Sequence, residues 1–158
     1  MKDANARAAL FHNVRSAHNV GAFLRTADGA GTLKIYLTGY TPTPLDRFGR
    51  PQKEVAKTAL GAENTVAWEY VKNPLSVIKE LRKEDWMIVG VEQDARAVDY
   101  RTISLEQPTL FIFGNEVRGI SRSLRDQCDQ LLEIPMRGKK ESLNVSVTAG
   151  VILFRFSN

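Results

Sequence analysis

Three short polar segments hold the side chains that could do chemistry, and each starts where an apolar run stops. Residues 114–119, Gly-Asn-Glu-Val-Arg-Gly, follow Thr109-Leu110-Phe111-Ile112-Phe113. A glycine directly after a buried strand lets a ligand approach the backbone, because no Cβ stands in the way. Glu116 adds a carboxylate, although an acid near a helix start is also what a helix dipole favours. Residues 135–144 follow Leu131-Leu132-Glu133-Ile134. Pro135 removes a backbone donor and stiffens the exit, residues 137–141 make a charged turn, and Ser142-Leu143-Asn144 open a helix. Ser142 is a good helix N-cap, whereas helix propensity gives Asn144 no reason to stand in a first turn. Residues 13–25 supply His18, a candidate proton acceptor near neutrality, with Asn19 as a candidate cap and Arg25 as a charge on a helix face.

The elements that must position these segments alternate between β and α. Residues 10–14 read as a first strand. Residues 19–30 read as a helix with Val20, Phe23, Leu24 and Ala27 in an apolar stripe and Asn19 as its cap. Residues 33–37 form a second strand, and residues 41–52, with Pro42, Pro44, Gly49 and Pro51, a surface loop. A short helix over 53–60, a strand over 65–70 and a helix opened by Asn73-Pro74 follow. Residues 86–91 and 109–113 are continuous apolar strands, the mark of burial on both faces of a parallel sheet. Residues 120–129 read as a helix capped by Ser121, 131–134 as the last strand and 143–156 as the last helix. This alternation predicts an α/β fold, a mostly parallel sheet with helices on both faces, over a single domain of residues 1–158. In such sheets ligands bind beyond the carboxyl ends of the strands, where the three segments lie.

Composition narrows the chemistry. The 158 residues, 43% apolar and 25% charged, suit one globular domain. One cysteine excludes an internal disulfide, and two histidines with one cysteine do not make a zinc site, so no metal is expected. No run approaches the roughly 20 apolar residues that span a bilayer, and the N-terminus lacks the apolar stretch of a signal peptide; the expected location is cytoplasmic, away from any membrane. The net charge of +4 is compatible with a polyanionic partner without requiring one. The sequence has no GxGxxG after its first strand, no GxxxxGK[ST] loop and no GxSxG elbow, which argues against a dinucleotide-dependent dehydrogenase and against a serine hydrolase.

Residues 19–26 (Asn-Val-Gly-Ala-Phe-Leu-Arg-Thr), 113–121 (Phe-Gly-Asn-Glu-Val-Arg-Gly-Ile-Ser) and 134–147 (Ile-Pro-Met through Ser-Leu-Asn-Val-Ser-Val) resemble, in order, the three motifs of the SpoU/TrmH branch of the SPOUT RNA methyltransferases. The resemblance spans the domain and looks like the minimal, catalytic-domain-only members. It implies a C-terminal trefoil knot, a rare exception to unknotted topology. It implies S-adenosylmethionine as methyl donor, bound bent in the knot, and two subunits paired as a homodimer to complete the site. The substrate it implies is RNA, either tRNA or rRNA, methylated on a ribose 2′-hydroxyl. By the same resemblance Gly114, Ile134 and Leu143 hold the donor's adenosine through their backbone, beside Met136, and the loop that starts at Glu92 lines the donor pocket. Asn19 and Arg25 face ribose and phosphate, Glu116 is the acid of the second motif, and Ser142 and Asn144 are polar active-site positions.

A sulfonium is already an activated leaving group, so transfer needs alignment and proton removal; alignment lowers a barrier by roughly 7–11 kcal/mol in favourable cases. An arginine guanidinium gives up its proton only above about pH 12. Arg25 is therefore expected to clamp phosphate and stabilise developing alkoxide through its forked donors. Arg15, Arg47, Arg50, Arg118, Lys139 and Lys140 are candidates for RNA backbone contact. Trp68 and Trp86 are expected in the core or at a dimer interface, and Cys128 as a small packed group. The competing expectation is an RNA-binding or assembly factor that keeps the fold without transfer activity; the complete set Asn19, Arg25, Glu116, Ser142 and Asn144 argues against it.

Overall fold

The computed structural model describes residues 3–158. Seven strands, β1 (Arg7–His12), β2 (Lys34–Thr38), β3 (Trp68–Val71), β4 (Met87–Val91), β5 (Val98–Asp99), β6 (Thr109–Phe113) and β7 (Gln130–Glu133), form one sheet in the order β3-β2-β1-β6-β4-β7-β5. Every pairing is parallel. The helices are α1 (Ala17–Gly29), α2 (Lys53–Ala59), α3 (Pro74–Lys83), α4 (Arg122–Arg125) and α5 (Val145–Arg155).

Successive side chains of a strand point to opposite faces, and here the two faces feed separate cores. Ala9, Phe11, Val89, Phe111 and Phe113 pack with α1, α2 and α5. Ala8, Leu10, Ile88, Leu110 and Ile112 pack with α3 and α4. This two-sided burial is why the central strands are apolar without alternation. In the first core Phe11 stacks on Phe23 with ring centroids 3.6 Å apart, which seats α1 on β1. Gly21 lets α1 and α2 touch: a Cβ there would fall 2.3 Å from the Val55 carbonyl oxygen.

The strand over 109–113 lies where expected, and several other boundaries move. The first strand runs Arg7–His12, not 10–14, and Asn13 instead turns with φ 55°. Asn19 is not the cap of α1. Ser16 is, accepting from the Asn19 N–H, so the helix begins two residues earlier, at Ala17. Ser142 is not the cap of the last helix either: the Asn144 side chain accepts from the Ser146 N–H at 2.8 Å, and α5 starts at Val145. The expected helix over 120–129 shrinks to α4 because turns follow it, with Gln127 and Cys128 N–H groups bonding Leu124 and Arg125 carbonyls. Ser121 caps it as expected. β5, two residues long, escapes sequence reading. Trp68 and Trp86 are partly buried, one against each core.

Candidate active site

The carboxyl ends of β4, β6 and β7 open on a pocket with about 670 Å³ of empty space, mouth included. Its walls are the exit of β4 (Val91, Glu92, Gln93), the loop after β6 (residues 114–117 and Gly119), and the segment from β7 into α5, including Ile134, Met136, Ser142 and Leu143. Two of the three expected turns therefore meet here, joined by the Glu92 loop. Glu133 and Thr148 also line it and were not anticipated. Thr148 lies one helical turn beyond Asn144, so the spacing i to i+4 was the available signal.

The loop after β6 is a tight hairpin, with Asn115 and Gly119 exchanging backbone hydrogen bonds at 2.9 and 3.1 Å. Gly114 is explained by this closure: a Cβ there would sit 2.3 Å from the Gly119 carbonyl group. The backbone that approaches Gly114 is thus the protein's own. Glu92 braces the hairpin from the β4 side, accepting from the Ile120 N–H at 2.7 Å, and Gly119, at φ 67°, leaves room for that carboxylate. Asn115 saturates its amide. Its Oδ1 accepts from Val117 and Arg118 N–H groups, both at 2.9 Å, and its Nδ2 donates to the Asn13 carbonyl at 2.9 Å and to Tyr40 Oη at 3.1 Å.

Glu116 reaches across to α1. Its carboxylate accepts from the Arg15 N–H at 2.9 Å, the Ser16 N–H at 2.9 Å and Asn19 Nδ2 at 3.4 Å. Partial burial alone would raise this carboxyl, but the hydrogen bonds from Arg15, its own amide, Ser16 and Asn19 outweigh it and hold Glu116 below the ordinary glutamate range. The first motif thus joins the site through Asn19. Arg25 does not: it lies exposed in the third turn of α1, beside a groove formed with Lys57, Thr58 and Leu60. Asn144 caps α5 while its neighbours Leu143 and Val145 line the pocket. His18 pairs with Glu54 at 2.7 Å, away from the pocket lining.

Two features describe what the pocket can hold. Glu92, Glu116 and Glu133 line it and no Lys or Arg does, so the lining is anionic among apolar surfaces. Backbone groups of residues 136–143 take no hydrogen bond from any described residue. Met136 and Leu143 thus offer free amide donors and acceptors beside the pocket. A cation carrying an aromatic, hydrogen-bonding base fits that donor set, and S-adenosylmethionine is such a molecule.

A family model described as the SpoU rRNA Methylase family matches residues 7–154. The chain is 38% identical over 141 residues to the 23S rRNA (guanosine-2′-O-)-methyltransferase RlmB of Ralstonia nicotianae, covering 89% of this chain and 54% of that one. It spans about half the length of the curated relatives it matches. Among solved structures, an AdoMet-bound rRNA methyltransferase from Sinorhizobium meliloti superposes with a TM-score of 0.86 at 29% identity, over 96% of this chain and 55% of that one. The A. aeolicus TrmH/SpoU tRNA modifying enzyme does so with a TM-score of 0.82 at 28% identity, over 96% and 74%.

Proposed function

The chain belongs to the SpoU rRNA methylase family, and from that premise we propose that it transfers a methyl group from S-adenosylmethionine to a ribose 2′-hydroxyl of RNA. The observation that carries this reading is the convergence of the β4, β6 and β7 exits on one anionic pocket with unpaired backbone donors and acceptors. The relatives named for 23S rRNA favour ribosomal RNA as substrate, and tRNA is the second choice. Such RNA places the protein in the cytoplasm; among the described residues no helix is long and apolar enough to cross a membrane.

In this reading, backbone groups of Gly114, Ile134 and Leu143 hold the adenosine and Met136 packs beside it. When bound, the sulfonium supplies an electrophilic methyl group whose bond to sulfur breaks to leave a neutral thioether. The glutamates on the pocket wall favour that cation over the neutral thioether product, which promotes release. Glu116 and Asn19 fix α1 to the loop after β6, so motif-one groups keep their distance from the pocket. Ser142 and Asn144 present polar groups at its rim. Arg25 binds the phosphate of the target nucleotide and stabilises charge developing on the ribose oxygen, and that phosphate takes the hydroxyl proton as the oxygen–methyl bond forms.

Since Arg25 stands off this pocket, the reading requires a homodimer in which a second copy completes the site. Exposed apolar side chains support it: Leu60, 65% exposed, lines the groove beside Arg25, and Val147 and Phe154, 51% and 53% exposed, lie on α5, which packs against α1. The reading also carries the family's trefoil knot, which the insertion of β7 between β4 and β5 and the return of α5 onto α1 support. The test is a calorimetric titration with S-adenosylmethionine followed by transfer of labelled methyl to ribosomal RNA. One donor per chain and label in 2′-O-methyl nucleosides are expected. Donor binding without transfer to either RNA class would instead support a factor that keeps the fold and has no activity.

A further inference from the structure

Tyr40 combines exposure with restraint. Its ring is 58% exposed, yet both ends of the residue are held. Its N–H donates to Asn13 Oδ1 at 3.1 Å, and its hydroxyl accepts from Asn115 Nδ2 at 3.1 Å. Two unusual backbone conformations make this possible. Asn13 adopts φ 55° and Gly39 φ 66°, and a Cβ on Gly39 would fall 1.9 Å from the Asn13 amide oxygen. Left-handed backbone at a non-glycine residue costs free energy and persists where the surroundings enforce it. The result is an immobilised aromatic face on the rim of the donor pocket, since Asn115 lines that pocket and anchors Tyr40.

The other side of Tyr40 opens on a groove along residues 39–52, floored by Trp68 and Tyr70. Arg47 lines this groove, and next to it Phe48 is 65% exposed, with the Arg47 and Arg50 guanidinium groups 4.7 and 4.9 Å from its ring centre. Arg50 is paired with Asp46, whereas Arg47 has no carboxylate partner among the described residues. An ordered exposed aromatic continuous with a groove that ends in cations is the arrangement that binds single-stranded nucleic acid. Bases stack on rings with little regard to sequence, and arginines neutralise the backbone.

We propose that Tyr40 is a stacking platform for an unpaired base of the RNA, next to the nucleotide presented to the donor pocket, with the strand continuing along the 39–52 groove toward Arg47. The assignment rests on the RNA methyltransferase reading and adds to it a requirement: the target stretch is unpaired. The paired interior of a duplex cannot offer a base face to Tyr40, so the platform selects loops, bulges and ends and sets the reach from the stacked base to the reacting ribose.

The test uses the full chain and a labelled twelve-residue oligoadenylate, read by fluorescence anisotropy, beside a blunt RNA duplex of equal length. Tyr40→Ala is expected to weaken oligoadenylate binding about tenfold or more, the range for loss of one base–aromatic stack, and to leave duplex binding unchanged. Tyr40→Phe loses the Asn115 tie and keeps the ring, and Tyr40→Trp enlarges it; both are expected to stay within threefold of the parent. Arg47→Ala is expected to reduce the salt slope. Equal oligoadenylate affinity in Tyr40→Ala and the parent overturns the proposal, as does failure of the parent to bind the oligonucleotide. A dimer that dissociates in Tyr40→Ala overturns it too, by assigning the ring to a contact between copies. Calorimetry with S-adenosylmethionine on the same samples keeps the two readings apart. Lost donor binding with intact stacking defeats the methyltransferase reading alone, and the reverse defeats the platform alone.

Discussion

Replacing Glu116 tests the joint between the first and second motifs. Its carboxylate takes two backbone N–H groups, Arg15 and Ser16, at 2.9 Å each, and a weaker contact from Asn19. Hydrogen bonds to a charged group contribute about 1.5–3 kcal/mol each, and partial exposure places these near the lower end. Glu116→Ala leaves both N–H groups without their acceptor, for an expected loss of about 2–3 kcal/mol. In a chain of this length that lowers Tm by about 5–10 °C. Glu116→Gln keeps one acceptor oxygen and turns an NH2 group toward the other donors, so about half the loss is expected. The carboxyl is held below its ordinary range, which fixes the sign of the pH dependence. The stabilisation is complete above the unfolded glutamate value of about 4.3, and it fades as pH falls through the lower folded value. Urea unfolding of both proteins from pH 7 to pH 3 is the assay. The gap between parent and Glu116→Gln should be widest near neutrality and close in acid. A gap that is absent at pH 7, or that widens on acidification, would falsify the assignment of Glu116 as the tie to α1.

Four further outcomes are expected. Gly114→Ala, whose Cβ would meet the Gly119 backbone at 2.3 Å, should disrupt the hairpin and abolish donor binding by calorimetry, whereas Gly138→Ala, with open space around it, should bind normally. Asn144→Ala should cost about 1 kcal/mol through loss of the α5 cap, and Asn144→Ser should restore stability in thermal melts; equal melting of Asn144→Ala and parent contradicts the cap. Arg25→Lys should retain part of RNA binding and lose most turnover in a methyl-transfer assay, and full turnover would remove the forked guanidinium from the mechanism. Burial pushes the Cys128 thiol up to about 12, so native protein at pH 8 should react with a thiol reagent only as fast as it opens; immediate stoichiometric labelling would contradict its packed position.

How far the sequence reaches depends on whether a feature is local. The β6 strand and the Asn73-Pro74 start of α3 were legible because each is written in adjacent residues. The parallel sheet was legible because Val89, Phe111 and their neighbours are apolar on both faces. Caps were located less well. Ser16 and Asn19 both suit an N-cap, as do Ser142 and Asn144, and backbone geometry chose between them. The three segments were correctly placed beyond strand ends, yet the Glu116 contact with Arg15 and Ser16 crosses about a hundred residues and leaves no local trace. A glycine after a strand signals room for a ligand, while the structure fills the room at Gly114 with Gly119. The hold on Tyr40 comes from Asn13 and Asn115, 27 and 75 residues away, so no local pattern marks it.

The central claim is methyl transfer to ribose, and nucleoside mass spectrometry of RNA from cells with and without this gene tests it most directly. The account predicts that one 2′-O-methyl nucleoside, at an unpaired position of ribosomal or transfer RNA, disappears without the gene and returns with the intact chain but not with Arg25→Lys. An unchanged set of 2′-O-methyl nucleosides, or the loss of a base-methylated nucleoside in their place, contradicts it.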